Sequence, residues 1–197
     1  MIIWINGAFG SGKTSAAEEL HRRIAGSFIF DPENLGYFIR QNSPGIYADG
    51  DFQDIPFWRE GNYRLLSMLS ADYDGHLIVP MTISDRGYYD EIITKLRENG
   101  YDVRHFILYA ERETILRRLK KRSGSLKREK FAVDAIERCL EAFSNTITDE
   151  KIDTDNMTVR EVSEAIAERC GIELLPDNRS VVQRFIDRIG ITLKYLR

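Results

Sequence analysis

Short apolar runs alternate with longer segments of helical period along most of this chain. Ile2 to Asn6 reads as a buried strand, and Thr14 to Ile24 places Ala16, Ala17, Leu20 and Ile24 on one side of a helix. Phe28-Ile29-Phe30 predicts a second strand, closed by Asp31-Pro32. His76 to Thr82, Arg104 to Ala110 and Lys151 to Thr154 predict a third, a fourth and a fifth. Helical patterns lie between them, over residues 57–70, 88–99, 113–121, 129–143 and 159–170. Strands separated by helices imply a parallel sheet covered on both faces. The expected fold is α/β, three layers around a five-stranded parallel sheet. A linker at Leu175-Pro176-Asp177-Asn178 sets off a last helical segment, so the chain divides into a domain over residues 1–175 and a tail over 176–197.

Composition narrows the class. A chain of 197 residues with 43% hydrophobic side chains can bury roughly 70% of its unfolded surface in one core. A formal charge of −3, from 28 Lys+Arg against 31 Asp+Glu, argues against a nucleic-acid partner. Two cysteines are too few for a disulfide framework, and no Cys-x-x-Cys pair is present for zinc. The apolar opening, Met1 to Ile5, runs straight into a Gly-rich turn without a basic leader or a cleavage site, so no signal peptide is expected. No apolar stretch approaches the ~20 residues of a membrane span. A cytoplasmic protein is expected.

The Gly-rich turn carries the chemistry. Gly7-Ala8-Phe9-Gly10-Ser11-Gly12-Lys13-Thr14 matches G-x-x-x-x-G-K-[ST] in full, between the first strand and the first helix, which is the context the motif needs. Its glycines let backbone N–H groups, with Ser15 and the helix N-terminus behind them, face phosphate oxygens. Lys13 would bridge the β- and γ-phosphates, and the Thr14 hydroxyl would ligate Mg²⁺. The fold expected is that of a P-loop nucleoside triphosphatase, with ATP and Mg²⁺ as cofactors.

GTPases need an Asn-Lys-x-Asp motif, which is missing, and the third strand ends in Pro80-Met81-Thr82 without the acid of transport and motor ATPases. The acids instead follow the second strand, as Asp31-Pro32-Glu33, which resembles small-molecule and nucleoside kinases. Asp31 there can accept the proton of an attacking hydroxyl or hold Mg²⁺ through water. It can equally cap a helix that starts at Pro32. Ser84-Asp85-Arg86 is similar to the acid-Arg pair of nucleoside kinases, and reads as well as a surface turn.

Charge is uneven along the chain. Nine Lys/Arg fall between Arg112 and Lys130, against Glu113 and Glu129, around a Ser123-Gly124-Ser125 break. This segment, over about residues 112–130, is expected to be a lid whose cations offset charge on a transferring phosphoryl group. Arg118 and Arg122, four apart on one helical face, are the first choices for that role, with Arg117 and Arg128 in reserve. After the fifth strand, Asp155 and Asn156 are candidates to flank the adenine, although Thr158 and Glu161 form a capping box that accounts for part of the pattern.

An aromatic insertion over about residues 33–70 should flank the acceptor, because ligands of open parallel sheets bind at the carboxyl ends of the strands. Tyr37, Arg40, Trp58, Arg59 and Asn62 are its candidate acceptor contacts, while most of the aromatics are expected to pack the insertion's own small core. The tail from Arg179 to Arg197 carries five Lys/Arg, one acid and an apolar stripe, Val181, Val182, Phe185, Ile189, Leu193 and Leu196. Such a helix lies on an anionic membrane surface or packs on its own domain.

With these segments in view, the chain resembles the bacterial tunicamycin-resistance ATP-binding proteins. The similarity rests on Ile3-Trp4-Ile5-Asn6 before the phosphate loop, Asp31-Pro32-Glu33, Asp51-Phe52-Gln53, Trp58-Arg59, Ile78 to Thr82, Thr154-Asp155-Asn156 and the basic tail. The resemblance implies a P-loop kinase fold, ATP binding, resistance to a nucleoside antibiotic and partial membrane association. The expected activity is an ATP-dependent phosphotransferase acting on a nucleoside-like antibiotic such as tunicamycin. The alternatives are an ATP-dependent binder that sequesters the drug, and a housekeeping kinase for a nucleoside or sugar acid.

Overall fold

The computed structural model describes residues 1–194, without the side chains of residues 181, 185, 188, 189 and 192–194. Strand β1 (Ile2–Gly7) leads through the Gly-rich loop into α1 (Lys13–Arg23), then β2 (Ser27–Ile29), α2 (Glu33–Gln41) and α3 (Pro56–Asp72). Next come β3 (His76–Pro80), α4 (Arg86–Tyr89) and α5 (Lys95–Glu98), the two helices joined by a π turn over Asp90–Thr94. Strand β4 (Val103–Tyr109) is followed by α6 (Arg112–Ser123), α7 (Lys130–Asp134) and α8 (Ile136–Asn145). The order closes with β5 (Glu150–Asp153), α9 (Val159–Cys170) and α10 (Val181–Lys194).

The strands pair in the order β2-β3-β1-β4-β5, all parallel. All six residues of central strand β1 are buried, and its alternation feeds two cores. Ile2 and Trp4 join Leu77, Val79 and Ile107 under the helices from α3 to α8. Ile3 and Ile5 join Ile78, Phe106, Leu108 and Ile152 against α1 and α9. Near-continuous apolar strands are what a sheet covered on both faces requires.

Two segments differ from the sequence pattern. Glu33–Gln41 is a helix inside the insertion; its N-cap is Pro32, the residue expected to start it, and Asp31, one residue ahead, makes a turn in which Oδ1 accepts from Glu33 N at 3.0 Å. Its Gly36 lowers helix propensity and so hides the element from a periodicity reading. The single helix expected over 129–143 is instead a 3₁₀ turn, Leu126–Glu129, followed by α7 and α8. They meet at Ala135, whose ψ of −10° slackens the winding there.

The tail reaches α1 through ion pairs. Arg179 binds Glu19, Asp177 and Asp187, and Arg22 lies 3.6 Å from Asp187. Arg23 Nε also donates to Leu175 O at 2.9 Å. Of the apolar stripe, Val182 is 66% exposed, as is its neighbour one turn on, Ile186, at 60%. The side chains of Val181, Phe185, Ile189 and Leu193, and all of Leu196, lie outside the described residues. Among the described residues, no helix is long and apolar enough to cross a membrane.

The insertion is held by one close approach. Phe52 lies on Gly36, stacks on Trp58 with ring centroids 6.5 Å apart and meets Tyr37 edge-on at 5.5 Å. The Arg40 guanidinium covers Phe52 at 4.3 Å and donates to Gly50 O at 2.6 Å. A methyl group on Gly36 would stand 2.5 Å from Phe52 Cγ, whereas one on Gly45 would meet nothing within 4 Å. Gly36→Ala should therefore destabilise the fold by about 1–3 kcal/mol in urea unfolding, with Gly45→Ala close to wild type. Equal midpoints for the two variants would contradict this packing.

Candidate active site

Because every strand runs the same way, the turns after their carboxyl ends gather on one edge, and the order of the chain reverses on either side of β1. The Gly-rich loop sits at that reversal. A buried polar seam fixes it. Trp4 Nε1 donates to Met81 O at 3.2 Å, and Thr82 Oγ1 donates to Gly7 O at 2.8 Å. Asn6, fully buried, accepts on Oδ1 from Gly7 N at 2.8 Å and Ile83 N at 2.9 Å, and donates from Nδ2 to Ile83 O at 2.8 Å. The ends of β1 and β3 thereby become one unit.

The loop has the form an oligophosphate needs. Gly7 has φ 141°, and a Cβ there would stand 2.6 Å from both Leu108 O and Ser11 Oγ. Gly12, at φ 106°, precedes α1 in the left-handed region without a side-chain cap, which leaves the first-turn N–H groups available to an anion. Ala8 is buried, Phe9 and Gly10 are half-buried, and Ser11 Oγ is buried with no hydrogen-bond partner among the described residues. Lys13 Nζ donates to Gly7 O and Ala8 O, both at 3.0 Å. Burial lowers its pKa to about 8, with Arg122 adding to the fall and Cys139 and Glu33 opposing it. An ammonium bonded to two carbonyls and set over the Phe9 ring, with no carboxylate hydrogen-bonded to it, is short of negative charge in this desolvated loop, which phosphate would supply.

Thr14 and Ser15 follow in the first turn of α1, both half-buried. Among the described residues, no three His, Cys, Asp or Glu side chains are grouped to hold a metal by themselves. A divalent ion at the Thr14 hydroxyl would draw its other ligands from phosphate and water, the coordination Mg²⁺ favours.

The two arginines chosen on α6 do different things. Arg118 Nη1 donates to Ser11 O at 3.2 Å and Thr154 Oγ1 at 3.0 Å, and its Nη2 donates to Thr154 O at 2.5 Å. It therefore ties the phosphate loop to the turn after β5. Arg122, one turn on, makes a bidentate pair with the buried Glu129 and lies near enough to Lys13 to act on its charge. Of the reserves, Arg117 donates to Thr114 Oγ1 at 3.2 Å and Arg128 to Ser123 O at 3.4 Å. Gly124 closes α6 in the left-handed conformation, and Phe131 on α7 meets Phe9 of the phosphate loop edge-on at 5.4 Å. Asp155 accepts from Glu111 N at 3.1 Å at the start of α6, and its pKa is lowered by hydrogen bonds from Thr114 and from that backbone group. Asn156 is exposed beside it.

On the acceptor side, Asp31 and Glu33 stand half-buried at the start of α2, with Tyr37 Oη 3.4 Å from Glu33 Oε2. Arg40 faces Phe52, as described. Trp58 and Asn62 are fully buried, the indole N–H on Pro32 O at 3.0 Å and Asn62 Nδ2 on Trp58 O at 2.9 Å. Arg59, also buried, binds Glu91 at 2.7 Å and Gln53 O at 2.5 Å and covers the Tyr88 ring at 4.3 Å. These three back the turn after β2 from within α3, while Phe38, Tyr47 and Phe57 are exposed aromatics of the insertion. Asp85 caps α4 by accepting from Tyr88 N at 3.0 Å, and Arg86 pairs with Asp90 at 2.8 Å, both at an exposed helix start.

In the sequence, Asn6, Thr82 and Thr154 have a place in the motifs but no role of their own. The signal for the first was present, since a polar residue at the end of a fully apolar strand must find partners when buried. The partners themselves come from Ile83, 77 residues away in the chain, and no local pattern encodes them.

Comparison with known proteins fits this geometry. A family profile described as an AAA domain matches residues 2–146. The structure of the Deinococcus radiodurans tunicamycin resistance protein is 35% identical, covers 89% of this chain and 99% of its own, and superposes with a TM-score of 0.74. A gluconokinase from Sinorhizobium meliloti 1021 is 20% identical over 85% of this chain and 91% of its own, with a TM-score of 0.59. Shikimate kinase from Bacteroides thetaiotaomicron is 16% identical over 87% and 99%, also at 0.59. These two share the fold. Among curated protein sequences, none is significantly similar to the chain. With a P-loop at the reversal of a five-stranded parallel sheet and this relative at full length, the chain belongs to the tunicamycin-resistance family of P-loop, kinase-like AAA-domain proteins.

Proposed function

We propose that this protein transfers a phosphoryl group from ATP, with Mg²⁺, to a hydroxyl of a nucleoside-like antibiotic of the tunicamycin type. The observation that carries the reading is the placement, at one sheet edge, of the Lys13 loop and the half-buried acids that follow β2. The 35% identical tunicamycin resistance protein supports the acceptor class.

ATP, when bound, supplies the phosphoryl group and leaves as ADP. Lys13 and the N–H groups of residues 8–15 offset the phosphate charge, and Thr14 and Asp31 would hold Mg²⁺, which would neutralise phosphate charge there. Asp31 also takes the proton of the acceptor hydroxyl as its oxygen bonds to phosphorus. Its Oδ1 is oriented by Glu33 N in the turn that leads into α2, which fixes the carboxylate for this task. Arg122, released from Glu129, is the lid cation that reaches the transferring group, whereas Arg118 positions the loop. Asp155 and Asn156 flank the base. Tyr37 and Arg40 border the acceptor, and Trp58, Arg59 and Asn62 hold that border in place. The apolar outward pair Val182 and Ile186, on a basic helix, supports peripheral contact of the tail with an anionic membrane.

Incubating protein, Mg·ATP and tunicamycin and weighing the drug should show the mass gain of one phosphoryl group. Asp31→Asn should lower that turnover by about 10²–10⁴-fold with ATP binding retained. An unchanged drug mass with ATP-dependent binding would instead favour sequestration, and near-normal turnover of the variant would leave Asp31 as a turn residue alone.

The Lys13 shift gives a pH dependence with a definite sign. Its ammonium is charged below about 8 in the free loop and is lost above it, so Mg·ATP affinity should fall as pH rises past about 8. The loss should approach tenfold per pH unit at most. Calorimetric titration of wild type and Lys13→Met from about pH 7 to 10 checks this. The variant should bind weakly and without that slope, and a flat wild-type profile would contradict the assignment.

A further inference from the structure

Behind the phosphate loop lies a buried polar chain that the proposed transfer does not use. Three of the four hydrogen-bonding positions of the Asn6 amide are fixed by backbone groups: Oδ1 by Gly7 N and Ile83 N, and one Nδ2 hydrogen by Ile83 O. Backbone groups cannot exchange donor for acceptor, so the amide has one orientation. Its remaining Nδ2 hydrogen faces His105 Nε2 at 3.2 Å. That nitrogen must therefore carry the lone pair, which places the imidazole proton on Nδ1.

Nδ1 lies 3.4 Å from Asp149 Oδ2 in an orientation that makes no hydrogen bond, so Asp149 acts on the ring by charge, and the His105 side chain is wholly inaccessible to solvent. Asp149 is held in turn by Tyr89 Oη at 2.7 Å and Arg97 Nη2 at 3.0 Å, and Arg97 Nη1 donates to Tyr89 Oη at 2.7 Å. The Tyr89 ring meets the imidazole edge-on at 5.3 Å, with Arg86 5.0 Å over the Tyr89 face. The charged and titratable groups around the ring are thus Asp149 ahead of β5, Tyr89 and Arg86 on α4 and Arg97 on α5. Burial lowers the His105 pKa by more than Asp149 raises it. Burial also works against the Asp149 carboxylate, but His105, the bond from Tyr89 and the Arg97 charge outweigh it and hold Asp149 well below the usual range.

We propose that His105 is a positioning residue for the phosphate loop: its neutral Nδ1–H tautomer, the one the Asn6 amide requires, offers Nε2 as acceptor and holds Asn6 in the orientation that fixes Gly7, and protonation of the ring releases the loop. The inference rests on the nucleotide-binding reading of that loop. A protonated ring presents Nε2–H to Nδ2–H, two donors in a site that water does not reach. The conflict is relieved when the Asn6 amide turns, and turning removes the acceptor of Gly7 N and Ile83 N. The competent loop is therefore present above the lowered His105 pKa and is lost as pH falls through it. Glutamine at 105 can offer Oε1 where Nε2 stands and does not titrate, and leucine offers no acceptor.

Two measurements test this. Nitrogen-15 spectra of the histidines, without nucleotide, should show His105 protonated on Nδ1 and bare on Nε2 at neutral pH. Calorimetric binding of a non-hydrolysable Mg·ATP analogue, at about pH 7.5 and about pH 5, should show wild type losing about threefold or more affinity beyond any loss in His105→Gln on acidification. His105→Gln should keep neutral-pH affinity within about threefold of wild type, while His105→Leu binds about tenfold more weakly at neutral pH. Should the leucine variant not fold, wild type and His105→Gln still decide. An Nε2–H tautomer, or the same acid loss in wild type and His105→Gln, overturns the proposal. Absence of nucleotide binding by wild type at neutral pH overturns the nucleotide reading beneath it.

Discussion

One buried amide holds this site together. Asn6 stands where the central strand ends and the phosphate loop begins, and its bonds to Gly7 and Ile83 make one unit of two strand ends 77 residues apart. Left unpaired in this dry position, the same groups would cost heavily. Saturated, they specify one arrangement. Thr82 on Gly7 O and the Trp4 indole on Met81 O extend the seam on either side. The loop geometry, the Lys13 position and the turn after β3 all inherit their register from it.

The loop's partners then divide the work. Lys13 is enclosed by carbonyls rather than carboxylates, a poor arrangement for the ligand-free loop and a suitable one for phosphate. Arg118 ties Ser11 to Thr154 and so fixes the far wall, while Arg122 is neutralised by Glu129 and stays near Lys13. A formal charge of −3 conceals this local concentration of cations. On the acceptor side, Gly36 and Phe52 lock the insertion against α2 and α3, and the Trp58 indole, the Arg59 guanidinium and Asn62 Nδ2 donate to the protein's own backbone or side chains.

Most of the frame was legible in the sequence because buried parallel strands are apolar nearly throughout and the helices between them keep one apolar face. The strand limits in the structure lie within two residues of the apolar runs. Helix α2 was hidden by Gly36, and the break at Ala135 has no glycine or proline to announce it. The loop could be read from its motif, but what steadies it could not, since Ile83, His105 and Thr154 are brought to it by the order of strands. Arg118 and Arg122 show the same limit. Equal in helical spacing, they differ in what the fold puts opposite them.

The central claim is that the Asn6 tie makes this sheet edge a nucleotide site. Mg·ATP affinity of Asn6→Ala, measured on protein verified as folded by circular dichroism, tests it most directly. Binding should be at least about tenfold weaker than wild type. A folded Asn6→Ala protein that binds Mg·ATP as tightly as wild type would contradict it.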